Sequence, residues 1–245
     1  MSNSKRKRAF IPVRTIPLAD EEMPNFCKNL KEELLREYKN KLGLQLRLTK
    51  DIHSLIDEKL KYLEGDNQNN QKQKNQSQCL SIAHAKISRG ALIESFTILD
   101  EMIGQALHHY QLRNLKRIDK EIRNWQEIED GLNGCLNGLK TTNEFKSCRS
   151  LMQSYRTLRH QFAHNPVGVF SFTAKKENFE SFLIGLKGIK LGTPYHVCID
   201  GKAGVFICYN IESDEFLIEF FDESVKFYSM LLEILLPTDT EKALK

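Results

Sequence analysis

The chain has 245 residues, 40% hydrophobic and 28% charged, with one tryptophan and a formal net charge of +4. That length can bury a substantial core, and no apolar run approaches the roughly 18–20 residues that a membrane span requires. Six cysteines, at positions 27, 79, 135, 148, 198 and 208, form no CxxC pair. A disulfide framework and structural zinc are therefore not expected, and a reducing cytoplasm is.

Residues 1–24 are basic at Lys5-Arg-Lys-Arg8 and are then punctuated by Pro12, Pro17 and Pro24. Lacking a helical or strand period, they are expected to form an extended arm. No apolar stretch follows the basic run, so a secretory signal is not expected either. Residues 25–65 turn helical: Leu30, Leu34, Leu35 and Tyr38, then Leu48, Ile52, Leu55, Ile56 and Leu60, recur at helical spacing. Gly43 marks either a break between two helices or a kink within one. The Asn/Gln-rich tract 66–78 has too few apolar groups to bury and predicts a mobile loop.

From 79 to 245 the pattern is that of one helical bundle. Leu80 to about Leu112 carries its broadest apolar face, including Leu92, Phe96, Leu99, Ile103 and Leu107, with Glu94, Asp100 and Glu101 among them. Residues 114–130 repeat the helical pattern. Asn133-Gly134 and Asn137-Gly138 then predict a loose region, and a helix over roughly Asn143–His164 follows, which Pro166 ends. After a short apolar loop comes an amphipathic helix over 175–187. The β-branched and aromatic runs Tyr195–Ile199 and Val205–Tyr209 flank Asp200-Gly-Lys-Ala-Gly204 and predict a hairpin over about 195–209. A last helix spans about 222–236, before Pro237. The expected fold is mainly α: an up-and-down helical bundle with a small β-hairpin inserted before the last helix.

The chemistry concentrates in Tyr155-Arg-Thr-Leu-Arg-His-Gln-Phe-Ala-His-Asn-Pro166, with two arginines and two histidines. From Lys146 to His164 there is no acidic residue, so Lys146, Arg149, Arg156 and Arg159 supply a local positive surface suited to a polyanion. A merely solvated helix face would carry the same charges. Arg156 and His160 share a helix face, as do His160 and His164. Arg159 and His164 stand about 140° apart on an ideal helix, and flank one groove only if the helix end loosens.

Three uses suit this set. One is RNA cleavage without a metal: a histidine moves a proton to or from the reacting oxygens, and an arginine holds the phosphate charge. A second is a metal held by His160 and His164, for which two ligands are too few and no HExxH glutamate is present. The third is a helix C-terminus carrying charged groups with no chemistry. No metal or other cofactor is expected.

Arg159-His-Gln-Phe-Ala-His164 resembles the Arg-x4-6-His signature of HEPN domains (higher eukaryotes and prokaryotes nucleotide-binding). The setting is similar too: a motif late in a bundle helix, with an earlier helix of the type Ala91-Leu-Ile-Glu-Ser-Phe-Thr-Ile-Leu-Asp100. The resemblance covers roughly residues 80–190. Many HEPN proteins are metal-independent endoribonucleases of toxin–antitoxin or antiphage systems, working as dimers with two motifs around one cleft. The resemblance implies Arg159 and His164 as catalytic residues, His160 as a supporting one, and Asp100 as a carboxylate that holds the arginine. It implies Arg156, Arg149 and Lys146 as RNA contacts, a homodimer, and an antitoxin or other regulatory partner. Leu158-Arg-His-Gln-Phe-Ala-His-Asn165 followed by Phe170-Ser-Phe172 is also similar to the mannitol-repressor-like regulators, which implies the alternative of a non-catalytic interaction module.

Overall fold

A computed structural model describes residues 23–65, 71–113, 125–137, 141–165, 168–173, 177–199 and 202–237. The expected arm lies outside these residues, apart from positions 23 and 24. The protein is mainly helical, with a small antiparallel sheet placed before the last helix.

The first two helices are long. Helix α1 runs without interruption over Met23–Gly65 and α2 over Gln71–Arg113. Gly43 therefore sits inside one helix and separates nothing. The expected loop at 66–78 is corrected from position 71 onward: Gln71–Gln78 form the first two turns of α2. Glutamine is a good helix former, and an amide-rich surface needs no apolar face when the helix continues into a packed segment. The pair is antiparallel, since Lys41 bonds Glu101 while His53 reaches Ser88 and His84.

Helix α3, Trp125–Leu136, continues through Asn133-Gly134, where a loose region was expected. Leu132, Cys135 and Leu136 bury that turn in the core and hold it helical. Helix α4 spans Asn143–His164, as its apolar spacing predicts. Thr142 caps it by accepting from the Phe145 N–H, and Glu144 lies favourably in the first turn. Helix α6, Glu215–Leu235, starts well before the expected 222 because Phe216, Leu217 and Phe220 extend its buried face.

Helices α1, α2, α4 and α6 run up, down, up and down. Cys148 lies beside Glu223, and Phe162 beside Phe216, so α4 and α6 are antiparallel; Phe96 against Phe220, with Tyr228 bonding the Met102 carbonyl, sets α6 parallel to α2. Phe96, Leu99, Met102, Tyr155, Leu158, Phe220 and Tyr228 fill the space between them. At about 25 cal/mol per Å2 of apolar surface removed from water, such aromatic and aliphatic groups dominate the stabilisation.

Between α4 and α6 lies more than a hairpin. Strands β1 (Val169–Thr173), β2 (Ile189–Leu191), β3 (Tyr195–Ile199) and β4 (Lys202–Ile211) form a four-stranded sheet, with α5 (Glu177–Gly185) following β1. The long β4 is central. It pairs antiparallel with β1 on one edge and with β3, then β2, on the other. Residues 202–204, expected in the turn, belong to β4, because Ile199 pairs with Lys202 and leaves a two-residue connection. The apolar segment expected as a loop after α4 is β1: its Phe170 is fully buried, stacked on Tyr209, and its Phe170-Ser-Phe-Thr173 alternation is too short to stand out without its partner strand.

On α1 the apolar residues do not all face inward. Leu48, Ile52 and Leu55, expected on the packed face, are exposed together with Leu44 and Tyr62, while Thr49, His53 and Ile56 are buried. The buried stripe of α1 is thus mixed in its C-terminal half, with Thr49 and His53 beside apolar Ile56 and Leu63.

Candidate functional site

The end of α4 remains a regular helix through His164, with Asn165 as its C-cap and the Asn165 N–H bonding the Gln161 carbonyl at 2.8 Å. Gln161, nearly buried, accepts from the Ser171 backbone N–H, and the Asn165 side-chain amide donates to Gln161 Oε1 and Ser171 Oγ. Helix end and β1 are locked together. The loosening that would let one copy of Arg159 and His164 converge does not occur within the chain, and they stay about 140° apart.

His160 and His164 are both exposed, with ring centroids 4.4 Å apart and tilted by 50°. Arg159 is half-buried and, among the described residues, has no hydrogen-bond or ion-pair partner. Tyr155, at the start of the segment, is core: its ring packs edge-on against Phe182 and Phe220, and burial pushes its phenol well above the usual range.

Asp100 does not hold Arg159. Its Oδ1 accepts from Arg156 Nη2 at 2.7 Å, and the Arg156 guanidinium lies 5.5 Å from the centre of the Phe96 ring. Arg156 and Arg159 lie only about 60° apart on the helix, and it is Arg156 whose guanidinium reaches Asp100. Lys146 and Arg149 lie in the first half of α4. At about 1.5 Å of rise per residue, Arg149 is roughly 15 Å along the axis from Arg159. They line an open cleft with Asn133, Leu136, Asn137, Thr141 and Phe145, where Arg149 donates to Asn133. The structure therefore divides the expected basic surface: an open cleft at one end, the Arg159–His164 set at the other, and an ion-paired Arg156 between them.

A second polar cluster was not anticipated. His53 of α1, His84 of α2 and Asp214, the N-cap residue of α6, come together although His53 and Asp214 are 161 positions apart. His53 Nδ1 bonds Asp214 Oδ2, and its Nε2 lies 3.3 Å from the His84 carbonyl oxygen. Ser88, fully buried, donates to Asp214 Oδ1 at 2.9 Å. The rings of His53 and His84 stack, with centroids 3.7 Å apart and planes within 13°. Burial first, and then the neighbouring His53, lowers the His84 pKa, against the pull of Asp214 and Asp57. Ser88, His53 and Asp214 superficially suggest a nucleophile triad. The Ser88 hydroxyl, however, is buried and committed to Asp214, so it is not a nucleophile presented to a substrate. The one available sequence signal was Thr49 and His53 at i, i+4 on a helix face that must pack against α2.

Compared with known proteins, the chain matches no family model, no curated protein and no solved structure. Among the described residues, no helix is long and apolar enough to cross a membrane.

Proposed function

We propose that the chain is a metal-independent endoribonuclease of a toxin–antitoxin or antiphage defence system, working in the cytoplasm. The observation that carries this reading is the end of α4, where Arg159, without an ion or hydrogen-bond partner among the described residues, lies on the same helix as the exposed His160–His164 pair. A guanidinium without an ion partner is available for a phosphate, and an exposed imidazole is a group that can carry a proton to or from the reacting oxygens. Attack by the RNA 2′-hydroxyl on the adjacent phosphate would expel the 5′-oxygen of the next nucleotide and leave a 2′,3′-cyclic phosphate. His164 passes the proton, Arg159 holds the charge that grows on the phosphate oxygens, and His160 supports His164. Because the two catalytic groups diverge on a regular helix, the reading requires a homodimer in which Arg159 of one copy faces His164 of the other.

The test is incubation of the purified chain with total RNA in EDTA. Cleavage leaving 2′,3′-cyclic phosphate ends, lost by about 100-fold or more in Arg159→Ala and in His164→Ala, is expected for groups of these roles. Mixing the two inactive variants should restore part of the activity, since one hybrid dimer groove has both groups intact. Intact RNA under all conditions would overturn the reading.

A second reading, a non-catalytic regulator or interaction module, is favoured by the exposed row Leu44, Leu48, Ile52, Leu55 and Tyr62 on α1, a surface that suits a protein partner.

A further inference from the structure

The cluster of His53, His84 and Asp214 has the make-up of a metal centre. One ligand atom from each lies within 4.8 Å of the other two. Two imidazoles and a carboxylate form a donor set suited to zinc and its first-row neighbours, whereas magnesium and calcium prefer oxygen alone. Each ligand comes from a different helix of the bundle, so the placement is a product of the packed fold.

The supporting shell is also present. Metal-bound histidines characteristically donate their other ring N–H to a carbonyl or carboxylate, which fixes the tautomer. With an ion on His53 Nδ1, the proton moves to Nε2, where the His84 carbonyl oxygen waits at 3.3 Å as acceptor. Ser88 occupies Asp214 Oδ1 at 2.9 Å and leaves Oδ2, the oxygen beside His53 Nδ1, for the ion. The stacked His84 ring brings a nitrogen within the same 4.8 Å. An open cleft of about 320 Å3 reaches His53 and Asp214 from solvent, lined also by Asp57, Glu58, Lys50 and Lys61. Three protein ligands and an approach for solvent describe a centre with an open coordination position.

We propose that His53, His84 and Asp214 bind one divalent first-row transition ion, with zinc as the preferred metal. The site shares no residue with the Arg159–His164 set and does not rest on the ribonuclease reading. The ion fastens α1, α2 and α6 where the buried face of α1 carries Thr49 and His53 among its apolar residues. On uptake the hydrogen bond between His53 Nδ1 and Asp214 Oδ2 is replaced by a bond from each atom to the ion, so the two side chains move apart from hydrogen-bond contact.

The experiment uses the full chain stripped with EDTA, dialysed, and titrated with Zn2+ and separately with Mg2+. Expected are one Zn2+ per chain, a rise of several degrees in melting temperature with Zn2+, and no effect of Mg2+. Co2+ in place of Zn2+ should give the intense visible bands of a four- or five-coordinate ion. Asp214→Asn should weaken zinc binding by about tenfold or more, the loss that follows when a ligand shell is damaged. Since Asp214 also begins α6, His84→Phe provides the second variant: it keeps a flat ring against His53 and removes the ligand nitrogen. It should retain the wild-type circular dichroism and lose both the zinc-dependent melting rise and the Co2+ bands. Absence of stoichiometric Zn2+ uptake by the wild type would overturn the proposal, as would undiminished uptake by His84→Phe. RNA cleavage in EDTA is unaffected by His84→Phe if both readings hold, so the two stand or fall separately.

Discussion

Asp100 and Arg156 offer a direct energetic test of how α2 and α4 are joined. The pair is separated by 2.7 Å, with side chains only 27% and 19% exposed, respectively. Fully exposed ion pairs contribute about 0–1 kcal/mol, whereas hydrogen bonds to charged groups with less solvent competition contribute about 1.5–3 kcal/mol. Partial burial between these limits, discounted for the remaining solvent access, gives a coupling of about 1–1.5 kcal/mol. Stacking of the guanidinium on Phe96 at 5.5 Å adds to the cost of removing Arg156 but not to the coupling with Asp100. A double-mutant cycle of Asp100→Ala and Arg156→Ala, read by urea unfolding, should return that coupling. The matching cycle of Asp100 with Arg159 should return zero within about 0.5 kcal/mol, the usual scatter for groups that share no partner. A coupling of Asp100 to Arg159 as large as that to Arg156 would refute the assignment.

Backbone positions give further tests. Gly188 adopts φ +72°, and a Cβ there would lie 2.6 Å from the Ser213 carbonyl oxygen, in the same loop whose Glu212 and Ser213 N–H groups bond the Gly188 carbonyl. Gly188→Ala should cost about 2–4 kcal/mol, about 1–2 from the left-handed backbone and the rest from displacement of the strand-to-helix loop. Gly168→Ala, with φ +69° but a nearest neighbour at 3.4 Å, should cost about 1–2 kcal/mol from backbone alone; equal losses at the two sites would show that the Ser213 contact carries nothing. Gly43 lies inside α1, and a methyl group there would meet no other atom within 4 Å, so Gly43→Ala should raise stability by about 0.5–1 kcal/mol in thermal or urea unfolding. A loss there would mean that α1 bends or breaks at this point in solution.

The local pattern of the chain was sufficient wherever one helix solved its own problem. Helix α4 is bounded by a Thr142 cap at its start and Pro166 just beyond its end, with Phe145, Cys148, Met152, Tyr155, Leu158 and Phe162 at helical spacing, so its limits and its arginines and histidines could be placed from sequence. The mainly helical fold and the pairing of β3 with β4 follow from the same kind of short-range signal. What the fold alone decided was every choice between faces and partners. Periodicity states that α1 has an apolar side, but not that Leu48, Ile52 and Leu55 would be left outside while Thr49 and His53 turn inward. Nor does it tell which of two arginines three residues apart meets Asp100, since that depends on how α4 is rotated against α2. Strands β1 and β2 are strands because the central β4 supplies hydrogen bonds along both its edges, and those partners are distant in sequence. The meeting of His53, His84 and Asp214 is the extreme case: three helices must be packed before the three side chains acquire any common chemistry, and no spacing within the chain encodes it.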